Sequence, residues 1–213
     1  AFNSYLLLLI FPILMIGFMS NIIAQASASY SRINDVVDAP ATDETGAIDS
    51  NIRGDILLKD VSLFYGDKPV LKNISFSVKA GSKTAIIGPT AAGKSQLLYL
   101  LTNLISPDSG SIEFDGISSD KYTKEVFHSQ IGFVFQDSVM FNMSLRENIA
   151  FSDKVTDESL EKAIATSELS DFIESLPHKL DTIVSERGTS LSGGQKQRIM
   201  LARALALNPK ILL

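Results

Sequence analysis

One loop of this sequence combines two glycines with a lysine and a serine at fixed spacing. Its residues match the pattern G-x-x-x-x-G-K-[ST] without a break: Gly88, Pro89, Thr90, Ala91, Ala92, Gly93, Lys94 and Ser95. Glycines let the backbone curl so that successive amides point at anionic oxygens, and a helix expected over residues 93–104 adds the positive end of its dipole. Such a loop would bind phosphate, with Lys94 at the β- and γ-phosphates and the Ser95 hydroxyl on Mg²⁺. A chance match in a glycine-containing turn is the alternative, so this interpretation needs a second motif.

A second glycine-containing motif precedes the last helix that the sequence predicts. Its residues come directly before a helical run over residues 196–207: Leu191, Ser192, Gly193, Gly194 and Gln195. Two adjacent glycines expose the first amides of that helix and Ser192 adds a hydroxyl donor, which makes a second anion-binding helix start. Standing alone, the motif would be read as an ordinary Ser/Gly helix cap. One polypeptide rarely needs two phosphate sites unless two chains share each nucleotide.

These two motifs, in this order, resemble those of the ATP-binding cassette (ABC) family. Residues 191–195, followed by Lys196, Gln197 and Arg198, look like the family's LSGGQ signature. From about residue 55 to residue 213 the sequence is similar to exporters whose membrane and ATPase domains share one chain. The resemblance implies ATP and Mg²⁺ as cofactors and a second nucleotide-binding domain, identical or different, as partner. Two such domains would sandwich two ATP molecules, and hydrolysis would drive export of a transported substrate across a membrane.

The resemblance also assigns roles to residues outside the two motifs. Tyr65 resembles the aromatic residue that stacks on adenine, although an ordinary strand aromatic is the alternative. Gln136 resembles the glutamine that joins Mg²⁺ and the attacking water to the membrane domain, because its carbonyl can ligate a hard cation and its amide nitrogen can orient water. With Lys94 it would take part in catalysis. Glu186 resembles part of an acidic loop that senses the membrane domain, with a solvated loop as the alternative, and residues 141–149 resemble the helical subdomain that faces the membrane domain.

Two positions depart from the family's usual pattern, and one part of the pattern is expected after residue 213. Ala91 stands where glycine is usual, and its side chain narrows the backbone options. Gln96, which is counted among the nucleotide-contacting residues, stands where threonine is usual. Residues 209–213 resemble the strand that leads into the Walker B carboxylates, so an Asp for Mg²⁺, a Glu as general base and a later histidine are expected beyond it. We therefore expect this chain to bind ATP with Mg²⁺ but to hydrolyse it weakly.

The elements that must position these residues are predicted from hydrophobic periodicity. Apolar runs at residues 56–58, 61–65, 74–78 and 84–87 predict strands, and the last of them is expected to be buried and to end at the phosphate loop. Helices are expected over residues 93–104 and, as one or two amphipathic helices, over residues 156–176. Their buried sides are expected to contain Leu97, Leu98, Leu100, Leu101 and Leu104 in the first, and Leu160, Ile164, Leu169, Phe172 and Ile173 in the second. With the resemblance, this predicts an α/β fold: a P-loop core with an antiparallel β-subdomain and a helical subdomain, preceded by a transmembrane helix.

The beginning of the chain is apolar and uncharged. Residues 5–23 are long enough to cross a hydrocarbon core, and Pro12 and Gly17 are tolerated in membrane helices. A buried core helix rarely runs this long without a polar face. A secretory signal peptide, which the following small residues suggest, would carry a positive segment in front. We therefore interpret residues 1–30 as the last membrane helix of a transmembrane domain, with Arg32 on the cytoplasmic side.

Composition and charge narrow the remaining possibilities. The net charge is -5 and no Lys/Arg cluster occurs, which argues against a nucleic-acid partner; without cysteine the chain has neither disulfides nor thiolate metal sites. Residues 31–53 are predicted to be a linker and residues 54–213 the nucleotide-binding domain. The prediction is a multi-pass membrane protein with this domain in the cytoplasm. A soluble P-loop ATPase such as a DNA-repair cassette is the first alternative, and a channel built on the same cassette, which would typically show long charged insertions, is the second.

Overall fold

The computed structural model describes residues 2–39, 46–137, 139–185 and 188–213. In the first helix, side chains are described from Leu9 onward. The chain divides into two compact units, Ala1–Asp43 and Glu44–Leu213, and each is described by itself.

The first unit contains the helix α1 (Phe2–Val37), with Pro12 inside it. Its residues Leu9–Val37 have a mean hydropathy of 1.8, and among the described helices this one is long and apolar enough to cross a membrane. The helix predicted over residues 5–23 is present, and it continues to Val37, into the region predicted to be a linker.

The second unit begins with an antiparallel sheet. Its strands are β1 (Ile56–Tyr65), β2 (Lys68–Val78), β3 (Ser109–Phe114) and β4 (Ile117–Ser118), in the order β2-β1-β3-β4. The strands predicted at residues 56–58 and 61–65 are one strand, whose register shifts between Leu58 and Val61. The shift lies at Asp60, which has a φ of 49° and inserts an irregularity typical of a β-bulge. The predicted antiparallel β-subdomain is therefore present.

One hydrophobic core joins this sheet to the helix after the phosphate loop. The helix α2 (Lys94–Leu101) buries Leu97, Leu100 and Leu101, which lie on one face because helical residues three and four apart are neighbours. The prediction that the helix extends to Leu104 is wrong. It ends at Leu101 because Asn103 adopts a φ of 54°, a left-handed conformation that terminates a helix, and Leu104 is 53% exposed.

A short parallel pair of strands also packs in this core. The strand β5 (Ile131–Gly132) pairs with β6 (Ile211–Leu212), near the helix α3 (Lys124–Ser129). A Cβ on Gly132 would lie 2.8 Å from the Ala204 carbonyl oxygen, so this close approach requires glycine. The parallel β5–β6 pair confirms that residues 209–213 contain a strand.

The buried strand predicted at residues 84–87 is not formed, which corrects the sequence-based expectation. Ile87 is 92% exposed and Ile86 is 38% exposed. A strand exists only where a neighbouring strand completes its backbone hydrogen bonds. Among the described strands, β5 and β6 pair with each other and none pairs with residues 84–87. The apolar run therefore predicted both a strand and its burial wrongly, because its backbone has no strand partner in the described part of the chain.

Residues 46–53 lie in the region that the sequence predicts to be a linker, and they are part of the second unit. Ile52 is 1% exposed, and its amide donates to the Gln130 side-chain oxygen at 2.7 Å. The Asp115 carboxylate accepts from the amides of Arg53 at 2.6 Å and Asp55 at 3.1 Å. These bonds hold the entry to β1 against the turn between β3 and β4.

Four helices and a second hydrophobic core form the helical part of the domain. They are α4 (Leu145–Ile149), α5 (Asp157–Thr166), α6 (Ser170–Glu174) and α7 (Gly193–Ala206). The sequence predicts one or two amphipathic helices over residues 156–176, and the structure has two, α5 and α6. Their predicted apolar side lies in the core, with Phe172 partly buried. Capping boxes begin α4 at Ser144, α5 at Thr156 and α7 at Ser192, where each side chain accepts from a backbone amide three residues on.

Candidate functional site

The phosphate loop ends where Gly93 caps α2. Gly93 has a φ of 82°, and a Cβ there would lie 2.8 Å from the Leu71 Cδ2 atom and 3.0 Å from the Val70 carbonyl oxygen. Both the left-handed conformation and the lack of space require glycine. The first amide bonded within this helix is that of Leu97, which donates to the Gly93 carbonyl at 2.9 Å. The amides that precede it have no intrahelical acceptor and are donors for an anion.

The Lys94 side chain folds back over the loop that precedes it. Its Nζ atom donates to the carbonyl oxygens of Gly88 at 2.9 Å and Pro89 at 2.6 Å. Both acceptors are uncharged, and an ammonium forms stronger hydrogen bonds with a phosphate oxygen than with a neutral carbonyl. The Lys94 ammonium could therefore exchange these carbonyls for phosphate oxygens. The exposed Ser95 follows on the first turn of α2.

An open cleft of about 280 Å³ surrounds this loop. It is lined by Tyr65, Val70, Ala91, Ala92, Gly93, Lys94, Ser95 and Gln96. The Tyr65 hydroxyl donates to the Gln96 side-chain oxygen at 2.7 Å, so the end of β1 and the start of α2 are bonded across the cleft. The structure thus brings the predicted adenine-stacking residue and the predicted phosphate loop to one opening.

The second glycine motif forms the first turn of α7. Gly193 and Gly194 are its first two residues, so the helix begins three residues before the predicted position, Lys196. The Ser192 amide donates to the Gln195 side-chain oxygen at 2.8 Å, and the Ser192 hydroxyl oxygen accepts from the Gln195 amide at 3.3 Å. The helix-cap role that the sequence left open for Ser192 is therefore confirmed. Ideal Cβ atoms at Gly193 and Gly194 would meet nothing within 4 Å, and the motif does not line the cleft described above.

Gln136 is exposed and follows the strand β5. The rings leading to it are anchored on α2: Phe133 lies with its centroid 5.8 Å from that of Tyr99 and 4.5 Å from that of Phe135. Tyr99 lies one helical turn after Ser95. The structure therefore attaches the Gln136 segment to the same helix as the phosphate loop, although Gln136 does not line the cleft among the described residues.

Comparison with known proteins identifies the family. The protein-family model described as ABC transporter matches residues 71–213. The chain belongs to the ABC transporter family. The family assignment made from the sequence is thereby confirmed, and an ABC ATPase domain is a P-loop domain that binds ATP.

Relatives and a solved structure agree with this assignment. The ABC transporter B family member 21 of Arabidopsis thaliana is 39% identical over 202 residues, covering 92% of this chain and 16% of that protein. The probable multidrug resistance ABC transporter ATP-binding/permease protein YheI of Bacillus subtilis is 36% identical over 218 residues, covering 100% and 37%. A bacterial Atm1-family ABC exporter, solved with ATP bound, superimposes with a TM-score of 0.80 and 35% identity over 99% of this chain and 38% of that one. The chain therefore spans well under half the length of the proteins it matches.

The ABC domain contains one polar network that sequence reasoning did not find. Arg203, on the helix that begins with the signature, donates to the Asn148 carbonyl at 2.6 Å, the Asn148 side-chain oxygen at 3.1 Å and the Val139 carbonyl at 3.1 Å. Its guanidinium lies 5.5 Å from the Phe141 ring centroid and 5.4 Å from that of Phe151. Burial lowers the pKa of Arg203 because the charged form loses water. No local motif marks this residue, since its partners lie far away in the chain.

Asn148 continues the network into the segment that follows Gln136. It is fully buried; its amide nitrogen donates to the carbonyls of Phe141 and Ser144 at 3.0 Å, and its oxygen accepts from the Phe141 amide at 3.0 Å. At the start of α4, hydrogen bonds from the Ser144 hydroxyl and amide lower the pKa of Glu147. The predicted family segment at residues 141–149 is therefore a rigid piece tied to α7. The predicted loop residue Glu186 lies outside the described residues.

Proposed function

We propose that this chain forms the nucleotide-binding part of an ABC exporter, which couples ATP binding and hydrolysis to movement of a substrate across a membrane. The observation that carries the proposal is the cleft in which Tyr65, Lys94 and Ser95 converge. Attachment to a membrane is supported by α1, an apolar helix of membrane-spanning length in the same chain. Export as the direction of transport is supported by similarity to a solved structure named as an exporter, and a domain fused to a permease by similarity to an ATP-binding/permease protein.

The cleft offers groups for the phosphates and for the base of ATP. The amides at the start of α2 and the Lys94 ammonium suit the phosphates, and the exposed Tyr65 ring suits a purine, because bases stack on aromatic faces. Ser95 offers a hydroxyl oxygen beside the phosphates. Ala91, Ala92 and Gly93 supply backbone along the cleft, and Gln96 lines it beside Ser95. Gly88, Pro89 and Thr90 precede them in the proposed phosphate loop.

The residues present fit Mg²⁺ held together with phosphate. Among the described residues no group of three or more His, Asp or Glu side chains could hold a metal ion by itself. Mg²⁺ keeps several waters and is usually bound through few protein oxygens plus substrate phosphates. Ser95 and Gln136 would hold it here, and when bound it would supply positive charge against the charge that develops on the phosphates.

A second nucleotide-binding domain, identical or different, would complete the site. The Ser192–Gln195 turn has a hydroxyl and two open glycine positions, yet it does not line the cleft of its own chain. A phosphate-binding helix start that faces solvent is suited to a nucleotide held by another chain. In this arrangement Ser192, Gly193 and Gly194 would contact the terminal phosphate bound to the partner's loop, so ATP would bring the two domains together.

Hydrolysis would use residues from several parts of this assembly. Lys94 would stabilise charge on the transferred phosphoryl group and Gln136 would orient the attacking water. Water would attack the γ-phosphorus as the bond to the ADP oxygen breaks, and a carboxylate would accept the proton. None of the residues proposed for the site is a carboxylate, so we place the general base elsewhere in the intact transporter.

The proposed location is a membrane, as an integral protein whose nucleotide-binding domain faces the cytoplasm, where ATP is available. The apolar surface of α1 favours this over a soluble P-loop ATPase, because water would contact a continuous row of large apolar side chains. The net charge of -5 gives no support to a nucleic-acid partner.

The test is ATP binding by the full chain in detergent, measured by titration calorimetry with Mg²⁺ present. The wild type should bind ATP, and Lys94→Ala should weaken binding by about 10- to 100-fold, since a charge-assisted hydrogen bond contributes about 1.5–3 kcal/mol. Lys83→Ala is the matched control, because Lys83 is exposed and does not line the cleft. Equal ATP affinity for the Lys94 and Lys83 variants would contradict the proposed site.

A further inference from the structure

Gln96 is the residue of the cleft that departs from the family's pattern and also makes a specific bond. Its side-chain oxygen accepts a hydrogen bond from the Tyr65 hydroxyl at 2.7 Å, the usual length for a good O–H···O bond. Glutamine carries its oxygen two covalent bonds further from Cβ than threonine does. A threonine at this position would therefore not reach the same hydroxyl without a shift of the backbone.

The bond joins two parts of the domain that lie far apart in the chain. Tyr65 ends β1 beside the turn at Gly66, and its side chain is 55% exposed. Gln96 lies on the first turn of α2, directly after Ser95. An exposed tyrosine side chain would otherwise populate several rotamers, each of which points the ring in a different direction. The bond restricts the ring to the side of the cleft nearest the start of α2.

We propose that Gln96 is a positioning residue that holds the Tyr65 ring ready for the adenine base before nucleotide arrives. The inference rests on the proposed ATP site, and it names Gln96 as a residue that raises the affinity of this site for the base. A ring that is already ordered loses less conformational freedom on binding, so the complex is more stable than with a mobile ring. The bond should therefore strengthen binding of the base and leave binding of the phosphates unchanged.

The experiment separates these two parts of the nucleotide. The full chain in detergent is titrated with ATP and with inorganic tripolyphosphate, which has the phosphates but no base. Gln96→Met keeps the length of the side chain and removes the acceptor, whereas Tyr65→Phe keeps the ring and removes the donor. Each variant should bind ATP about three- to tenfold more weakly, the gain from one pre-ordered side chain. Tripolyphosphate affinity should stay within about twofold of the wild type.

The double variant and a control make the result specific. Because both single changes remove the same bond, the double variant should bind ATP no more weakly than the weaker single variant. Gln197→Met, at an exposed position of α7 outside the cleft, should leave both affinities unchanged. Thermal unfolding midpoints should agree among all variants, and if Gln96→Met does not fold, Tyr65→Phe alone carries the comparison of the two ligands.

Three results would overturn the inference while the wild type binds ATP. Equal losses of affinity for ATP and for tripolyphosphate would show that Gln96 acts on the phosphates. Losses of ATP affinity that add in the double variant would show that the bond between the two side chains is not their cause. Unchanged or tighter ATP binding by the single variants would show that the bond does not order the ring for the base. A wild type that binds tripolyphosphate but not ATP would contradict the placement of the base against Tyr65. A wild type that binds neither ligand would contradict the proposed function itself.

Discussion

At the scale of single residues, the phosphate loop contains a strained alanine. Ala91 has a φ of 63°, in the left-handed region that glycine occupies without cost. A Cβ in that conformation meets the following carbonyl, which costs about 1–2 kcal/mol. The family's usual glycine at this position is therefore explained by conformation, and the alanine makes this loop stiffer than the common form.

Ala91→Gly should relieve that strain. Glycine also gives the unfolded chain more conformational entropy, which lowers the free energy of unfolding by about 0.5–1 kcal/mol. The net effect should be a stabilisation of up to about 1.5 kcal/mol. The neighbouring Ala92, whose φ is not positive, is the matched control, and Ala92→Gly should destabilise the domain. Chemical denaturation of the three proteins measures both changes. A lower stability for Ala91→Gly than for Ala92→Gly would contradict the account of strain.

At the scale of elements, the network of Arg203 and Asn148 ties the signature helix to the segment that follows Gln136. Its Arg203 bonds run from α7 to Asn148, near the end of α4, and to Val139, which the chain reaches shortly after β5. Two parts of the proposed nucleotide site are thus built on elements bonded to each other. A shift of the Gln136 segment would therefore also move α7, because buried polar groups keep their hydrogen-bond partners.

Asn148→Ala should destabilise the domain by about 3 kcal/mol, because several buried backbone groups lose their partner at once. Asn51→Ala is the comparison, since Asn51 is exposed, and it should change stability by less than about 0.5 kcal/mol. Urea unfolding of both variants gives the two values. Similar values for the two positions would show that the Asn148 bonds contribute little net free energy.

At the scale of the whole molecule, ATP binding and ATP turnover should separate. The cleft holds Lys94 and Ser95, but the Ser192 turn does not line it, and we place the general base outside the residues assigned to the site. Turnover should therefore need a second domain and a carboxylate that these residues do not supply.

The purified chain should bind ATP and release phosphate only very slowly. Phosphate release is measured on the same sample as ATP binding, so that a misfolded protein is recognised. Ser192→Ala serves as a control, because as a residue outside the cleft it should leave ATP binding of a dilute, monomeric sample unchanged. Robust turnover by the chain alone would contradict this division of the site.

Much of the fold followed from patterns within short stretches. The three strands predicted before residue 79 correspond to β1 and β2, and the amphipathic pattern at Leu160, Ile164 and Ile173 correctly predicted a buried side. The prediction of a strand at residues 84–87 was wrong. A strand needs a neighbouring strand to complete its hydrogen bonds, and the sequence of one short stretch does not show whether such a neighbour exists.

By itself the sequence determined the phosphate loop, the signature turn, the apolar helix and the family. These depend on contacts between residues close in the chain, such as the hydrogen bonds from Lys94 to Gly88 or from Ser192 to Gln195. Only the tertiary structure decided that Tyr65 is bonded to Gln96, Arg203 to Asn148 and Ile52 to Gln130. Those partners lie 31, 55 and 78 positions apart, and no local spacing encodes which distant groups meet once both hydrophobic cores have formed.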